Sequence, residues 1–274
     1  MSTGTQNLAN RVGRHHVQGF AGTIRGMVSR PTLTLVVPAF NEAPRIASSL
    51  AKLLDYAASC GMSCEIILVI ERSTDGTAAI ARRILAGTDV VVIETGVNRG
   101  KGYAVKTGML RATGELVFYM DLDLSTPLAE ITRFVERAEA VPAVSIWIGN
   151  RRHAQAEIVR RQPLVRRATG KIFSTLVRGL GLSGLSDTQC GFKLFRRHAV
   201  APVFERQSID GFSFDVEILL IARRLGFEIR DLPVTWHDAD GTKLRVVQDS
   251  VKMFVDLLVI RRRLRSVRDD RGSA

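Results

Sequence analysis

A chain of 274 residues, 46% of them apolar, has enough hydrophobic material for one sizeable core and is not a disordered polymer. A formal charge of +12 calls for a partner rich in negative charge: nucleic acid, an anionic membrane face or a phosphorylated substrate all qualify. Cys60, Cys64 and Cys190 are sparse and odd in number, which excludes a disulfide framework, points to a reducing compartment and gives no zinc-ligand pattern.

Residues 1–30 carry Arg11, Arg14, His15, His16, Arg25 and Arg30 without clear periodicity and read as a basic N-terminal extension, not as a signal peptide. No run of about 18 apolar residues follows anywhere, so no transmembrane helix is expected and any membrane contact is peripheral. From Pro31 the pattern changes. "LTLVV" (33–37) predicts a short buried strand, and Ile46, Leu50, Leu53, Leu54 and Ala57 follow at helical spacing. "EIILVI" (65–70), "DVVVI" (89–93), "ELVFYM" (115–120) and "VSIWIG" (144–149) repeat the strand type, with helices expected at about 75–86, 101–112 and 128–140. This alternation predicts an α/β domain over 31–246: a doubly wound, mostly parallel, Rossmann-like sheet with helices on both faces.

In such sheets the ligand lies outside the carboxyl ends of the strands. Four polar clusters follow strand ends here: "PAFNE" (38–42), "ERSTDGT" (71–77), "NRGKG" (98–102) and "DLD" (121–123). Asp121 and Asp123 are two apart, so the strand period places both carboxylates on one side, a donor set that suits Mg²⁺ or Mn²⁺ together with substrate phosphates. A solvated strand end with Ser125 and Pro127 opening the next helix is the plain alternative for an isolated pair; the three neighbouring clusters favour the site. Lys101 stands between Gly100 and Gly102 at a helix start, where an anion is already favoured, although the loop is no Walker A motif. Further on, "SDTQCGFKLFRR" offers Lys193, Arg196 and Arg197, and "WHDADGTKLR" offers His237, Lys243 and Arg245, as cations for a diphosphate. Asp215 and Glu217 open an apolar helix, where carboxylates also suit the dipole.

Together "VVPAFNE", "ERSTDGT", "NRGKGYAVKTGM", "MDLDLSTP", "DTQCGFKLF", "FDVEIL" and the closing "WHDADGTKL" with "DSVKMFVDLLVIR" resemble the inverting family 2 glycosyltransferases, and among them the dolichyl-phosphate β-glucosyltransferase branch. The likeness runs from about Leu33 to Arg263. It implies the GT-A fold, a UDP-sugar donor with glucose as the sugar, a polyprenyl phosphate acceptor and a Mg²⁺ or Mn²⁺ cofactor. Position by position, the resemblance puts Pro38, Ala39, Phe40 and Glu42 around the nucleoside, with Glu71 accepting from the uracil N–H. It puts Asp121 near the ribose and diphosphate and Asp123 on the metal, while the helix-start reading adds Lys101 to the nucleotide-sugar side. Asp187 falls near the transferred sugar, as an orienting group or a base for a hydroxyl acceptor, and Lys243 and Arg245 match a basic loop over the diphosphate. Two positions depart from the pattern: Ile70-Glu71-Arg72 replaces the usual Asp-Asp-Gly, and Ser125 stands where many relatives have glutamine.

A lipid acceptor needs a membrane face. Residues 159–180 alternate an apolar stripe with Arg160, Arg161, Arg166, Arg167, Lys171 and Arg178, and residues 247–274 predict a basic amphipathic helix and tail ending in Arg261, Arg262, Arg263 and Arg265. The expected location is cytoplasmic, peripheral on the inner face of an anionic membrane. A soluble acceptor is the second reading. Nucleic acid is not expected, because the acidic strand-end pair repels phosphate without a metal and no nucleic-acid motif is present.

Overall fold

The computed structural model describes residues 32–153, 179, 181–237 and 246–264. Near-continuous apolar runs make strands that are buried on both faces. In the first of them Val36 points to one side and Leu35 and Val37 to the other, each fully buried in a separate core layer. The strands are β1 (Leu33–Ala39), β2 (Cys64–Ile70), β3 (Val91–Glu94), β4 (Leu116–Met120), β5 (Ile146–Asn150), β6 (Phe192–Arg196) and β7 (Ile229–Pro233). The helices are α1 (Ile46–Ser59), α2 (Thr77–Leu85), α3 (Lys101–Arg111), α4 (Ala129–Ala140), α5 (Arg197–Arg206), α6 (Phe214–Arg224) and α7 (Val246–Leu264). Helices α1, α2 and α4 supply the apolar side chains of one layer; α3, α5, α6 and α7 supply those of the other.

Among the described residues the sheet has the order β3-β2-β1-β4-β6-β5-β7. From β1 the chain winds outward through β2 and β3, all parallel, then returns to add β4 in parallel on β1's other edge. The strand order therefore reverses between β1 and β4, and the loops after these two strands flank the crevice where such sheets bind ligands. Strands β1 to β5 fall where the apolar runs predict them. The sheet is mixed beyond that point, because β6 runs antiparallel to both β4 and β5. Its sequence "FKLFR" was expected to present cations around two phenylalanines. Instead it is a central strand with Lys193 fully buried. Arg196 and Arg197 stand at the opposite end of the sheet from the crevice, donating to Val144 O and Ala112 O respectively, so neither reaches a diphosphate there.

Helix α3 enters the crevice through a close backbone approach. The Gly102 N–H donates to Asp210 O at 2.7 Å, and a Cβ at Gly102 would lie 2.6 Å from Ile209 O and 2.7 Å from Phe214 Cβ. Neither neighbour is the far end of a flexible side chain, so Gly102→Ala is expected to lower stability by about 1–3 kcal/mol in urea unfolding. An unchanged midpoint would contradict this packing.

Candidate active site

The four strand-end clusters converge. The Asn41 N–H donates to Ser73 Oγ at 3.1 Å, Glu42 N–H to Thr77 Oγ1 at 2.8 Å, Ala43 N–H to Asp75 Oδ2 at 2.9 Å and Thr74 N–H to Asn41 Oδ1 at 2.9 Å. The loops after β1 and β2 are thereby tied side by side. Ala39 is buried in the core, Pro38 and Phe40 are half-buried beside the crevice, and the Glu42 carboxylate pairs with Arg45 at 2.9 Å. Glu71 is only 3% exposed, and its Oε1 accepts from the Arg99 and Gly100 amides, both at 2.8 Å. Ile70 is a buried strand end.

Glu71 thus fixes the loop that presents Lys101, whose Nζ pairs with Asp121 Oδ1 at 2.6 Å. Burial alone would lower the Lys101 pKa; Asp121, Asp215 and Asp123 outweigh it and hold the ammonium above its ordinary value. Gly191 makes this pair possible: a Cβ there would come within 2.9 Å of both Asp121 Cγ and Lys101 Nζ. Asp123 Oδ1 accepts from the Ser125 N–H at 2.9 Å across a turn in which Leu124 has φ +52°. Among the described residues nothing hydrogen-bonds the other oxygen of Asp123.

Asp121, Asp123, Ser125, Arg151, Cys190 and Trp236 line one recess, with Met120, Thr126, Gly191 and Phe192. Arg151, the one arginine of this lining among the described residues, was not singled out from the sequence. The Arg151 guanidinium lies 5.6 Å over the Trp236 ring and forks onto Asp187, Nε to Oδ2 at 2.7 Å and Nη2 to Oδ1 at 2.8 Å, while the Arg151 N–H adds a third bond at 2.9 Å. Asp187 is 2% exposed and stands behind Arg151, with both oxygens engaged. Burial pushes its carboxyl up, but Arg151 outweighs this and holds it below the usual carboxylate range. The Cys190 thiol, pushed up to about 12 by burial, is neutral at pH 7 and no nucleophile. Asp215 lies in the first turn of α6, as expected, and is interior there: it binds Lys193 and Tyr119. The His237 N–H donates to Ser125 O at 2.8 Å at the edge of the recess. Lys243, Arg245, the extension 1–30 and nearly all of 159–180 lie outside the described residues.

Carboxylates face the recess from the β4 loop and a guanidinium from the end of β5, an arrangement suited to a metal-bound diphosphate beside a second anion. Residues 34–204 match the family described as Glycosyl transferase family 2. The chain belongs to glycosyltransferase family 2. The glycosyltransferase is 33% identical over 246 residues to the dolichyl-phosphate β-glucosyltransferase of Saccharomyces cerevisiae, covering 84% of this chain and 74% of that one. With the Homo sapiens protein of the same name it shares 30% identity over 262 residues, 90% of this chain and 81% of that one. Among solved structures it resembles glucosyl-3-phosphoglycerate synthase of Mycobacterium tuberculosis in complex with Mn²⁺, UDP and glucosyl-3-phosphoglycerate, at TM-score 0.64 and 18% identity, covering 84% of this chain and 80% of that one. That likeness carries the fold, and the GT-A expectation holds.

The Asp187–Arg151 pair has a pH signature. A carboxyl held below its unfolded value stabilises the fold above that value, and the stabilisation is lost as pH falls through the folded value. Asp187→Asn in the glycosyltransferase is therefore expected to lose up to about 3 kcal/mol at pH 7, less what solvent around the partly exposed Arg151 recovers. The gap to wild type should close below about pH 4, the ordinary carboxylate range. A gap independent of pH in urea titrations would contradict the pairing.

Proposed function

We propose that this glycosyltransferase moves glucose from UDP-glucose to the phosphate of a polyprenyl lipid, with inversion. The observation that carries the reading is the recess, with Asp121, Asp123 and Lys101 on one side and Arg151 over Trp236 on the other. The curated relatives, 30–35% identical and named dolichyl-phosphate β-glucosyltransferases, support the acceptor class and the sugar.

In the proposed reaction an oxygen of the acceptor phosphate attacks the anomeric carbon. The bond from that carbon to the β-phosphate oxygen breaks, and its electron pair leaves with UDP, so an α-linked donor gives a β-linked product. A phosphate monoester is an anion at neutral pH and needs little base catalysis; positioning and charge neutralisation do most of the work. Asp187, occupied by Arg151, is accordingly a positioning residue, and Arg151 meets the acceptor phosphate. Lys101 faces the diphosphate from the start of α3, and Lys243 and Arg245 cover it as the family resemblance suggests. Pro38, Ala39, Phe40 and Glu42 form the nucleoside side, Ala39 through its backbone, and the second oxygen of Glu71 accepts from the uracil N–H.

Asp123, assisted by Asp121, is the proposed ligand for Mg²⁺ or Mn²⁺: both are hard oxygen donors on one wall of the recess. Among the described residues no three-residue cage stands ready, which fits an ion that takes one or two carboxylates and completes its shell with phosphates and water. Bound there, it supplies charge neutralisation to the leaving diphosphate.

The acceptor is presented at a membrane surface, proposed as the cytoplasmic, inner face. Among the described residues no helix is long and apolar enough to cross a membrane. Helix α7 docks through Leu257 and Ile260 and turns Val255 (51% exposed), Leu258 (55%) and Val259 (36%) outward, just before exposed Arg261, Arg262 and Arg263.

Asp123→Ala is expected to cut Mn²⁺-dependent transfer from UDP-glucose to a polyprenyl phosphate by about a hundredfold or more. Full activity of that variant in the presence of chelator would overturn the metal assignment. In flotation with anionic vesicles the wild type should rise with the lipid, and Val255→Glu/Leu258→Glu should stay behind. A wild type that ignores the vesicles at physiological salt would favour a soluble acceptor.

A further inference from the structure

Beneath the recess lies a charged group that the proposed reaction does not use. Lys193, on central strand β6, is fully buried, and its register partner on β4 is Tyr119. The ammonium is bonded to Asp215 from the first turn of α6, and the Tyr119 hydroxyl donates to the same carboxylate oxygen. Lys193 Nζ also lies 5.3 Å over the Tyr119 ring. Its remaining contact leads to the recess: Nζ donates to Cys190 O at 2.7 Å. Cys190 and Gly191 are recess wall, and Gly191 is the residue against which the Lys101–Asp121 pair packs.

A buried ion pair is a poor way to stabilise a core, because apolar side chains of the same volume serve as well or better. Keeping one needs another reason, and here its third contact supplies it. Resting on the donor-site reading above, we infer that the Lys193–Asp215–Tyr119 cluster positions the Cys190–Gly191 wall and so sets the place of Asp121 and Lys101 at the donor diphosphate. The chain of contact is short and each link is directional. Asp215 and Tyr119 fix the ammonium, the ammonium fixes the Cys190 carbonyl, and the next residue is the glycine that admits Asp121. The far side of the same turn is held separately, by Asp187 on Arg151. Lys193, Asp215 and Tyr119 touch no substrate in this account; they act through the wall, and Asp215 adds the pull of its charge on the Lys101 ammonium.

The test removes the charges and keeps the volume. In the full chain, Lys193→Met/Asp215→Leu should melt within a few degrees of wild type or higher. Hydrogen exchange should quicken at residues 187–192 and stay unchanged in β1 and β2. UDP affinity with Mn²⁺, by calorimetry, should fall roughly tenfold or more, as expected of groups moved by a fraction of an ångström. Tyr119→Phe, which removes one hydroxyl and keeps the ring, should lose affinity in the same direction by roughly threefold, and it covers the case in which the double variant does not fold. UDP affinity within twofold of wild type in a folded variant, with exchange at 187–192 unchanged, would overturn the inference. So would an affinity loss that tracks a falling melting temperature and faster exchange throughout the sheet, since that is a structural role. A wild type that binds UDP but transfers glucose to no lipid phosphate would defeat the proposed function, whereas the affinity and exchange comparisons would still decide this one.

Discussion

The Glu71 carboxylate, buried at the end of β2 and bonded to the Arg99 and Gly100 amides, is the contact from which the site is built. A buried carboxylate needs hydrogen-bond donors, and here one oxygen, Oε1, takes two from the backbone of the loop after β3. Two hydrogen bonds at 2.8 Å therefore join β2 to the start of α3. That start carries Lys101 to Asp121 at the end of β4, and the loop after β1 is tied to β2 through Asn41, Glu42 and Ala43. Three strand ends are consequently joined to one another. The glycines follow from this constraint: Gly102 lets α3 meet the 209–210 backbone, and Gly191 lets Asp121 meet Lys101.

The charges and walls of the recess are each held in place by a specific contact, some from behind and one across the recess itself. Asp187 holds Arg151, Lys193 holds the wall, and Lys101 stands against Asp121. In the proposed reaction Asp187 acts one step removed, through the Arg151 it holds. An acceptor that is already an anion makes that sufficient, since a cation to receive it is worth more than a base to ionise it.

The sequence showed the first five strands because each is a near-continuous apolar run, and it pointed to the candidate site because polar residues stood at four of their ends. It hid β6 because Lys193 and Arg196 interrupt its apolar pattern, and nothing local announces that Asp215, 22 residues on, buries the lysine's charge. It hid β7 because "IRDLP" is short, half-exposed and ends in proline. Arg151 escaped notice because its meaning depends on Asp187, 36 residues further on, whose role looked complete without it. The departure at Ile70-Glu71-Arg72 also has a structural content that no motif conveys. Ile70 closes the strand inside the core and Glu71 anchors a neighbouring loop, so this stretch is scaffold as much as base-reading surface.

The central claim is that the recess joins a sugar nucleotide to a phosphate without a base. Its most direct test is the product formed from UDP-glucose and a polyprenyl phosphate with Mn²⁺, analysed by NMR for anomeric configuration and by UDP release. The account predicts a β-linked glucosyl phospholipid with one UDP released per glucose transferred. An α-linked product, or UDP released with free glucose and no phospholipid product, would contradict it.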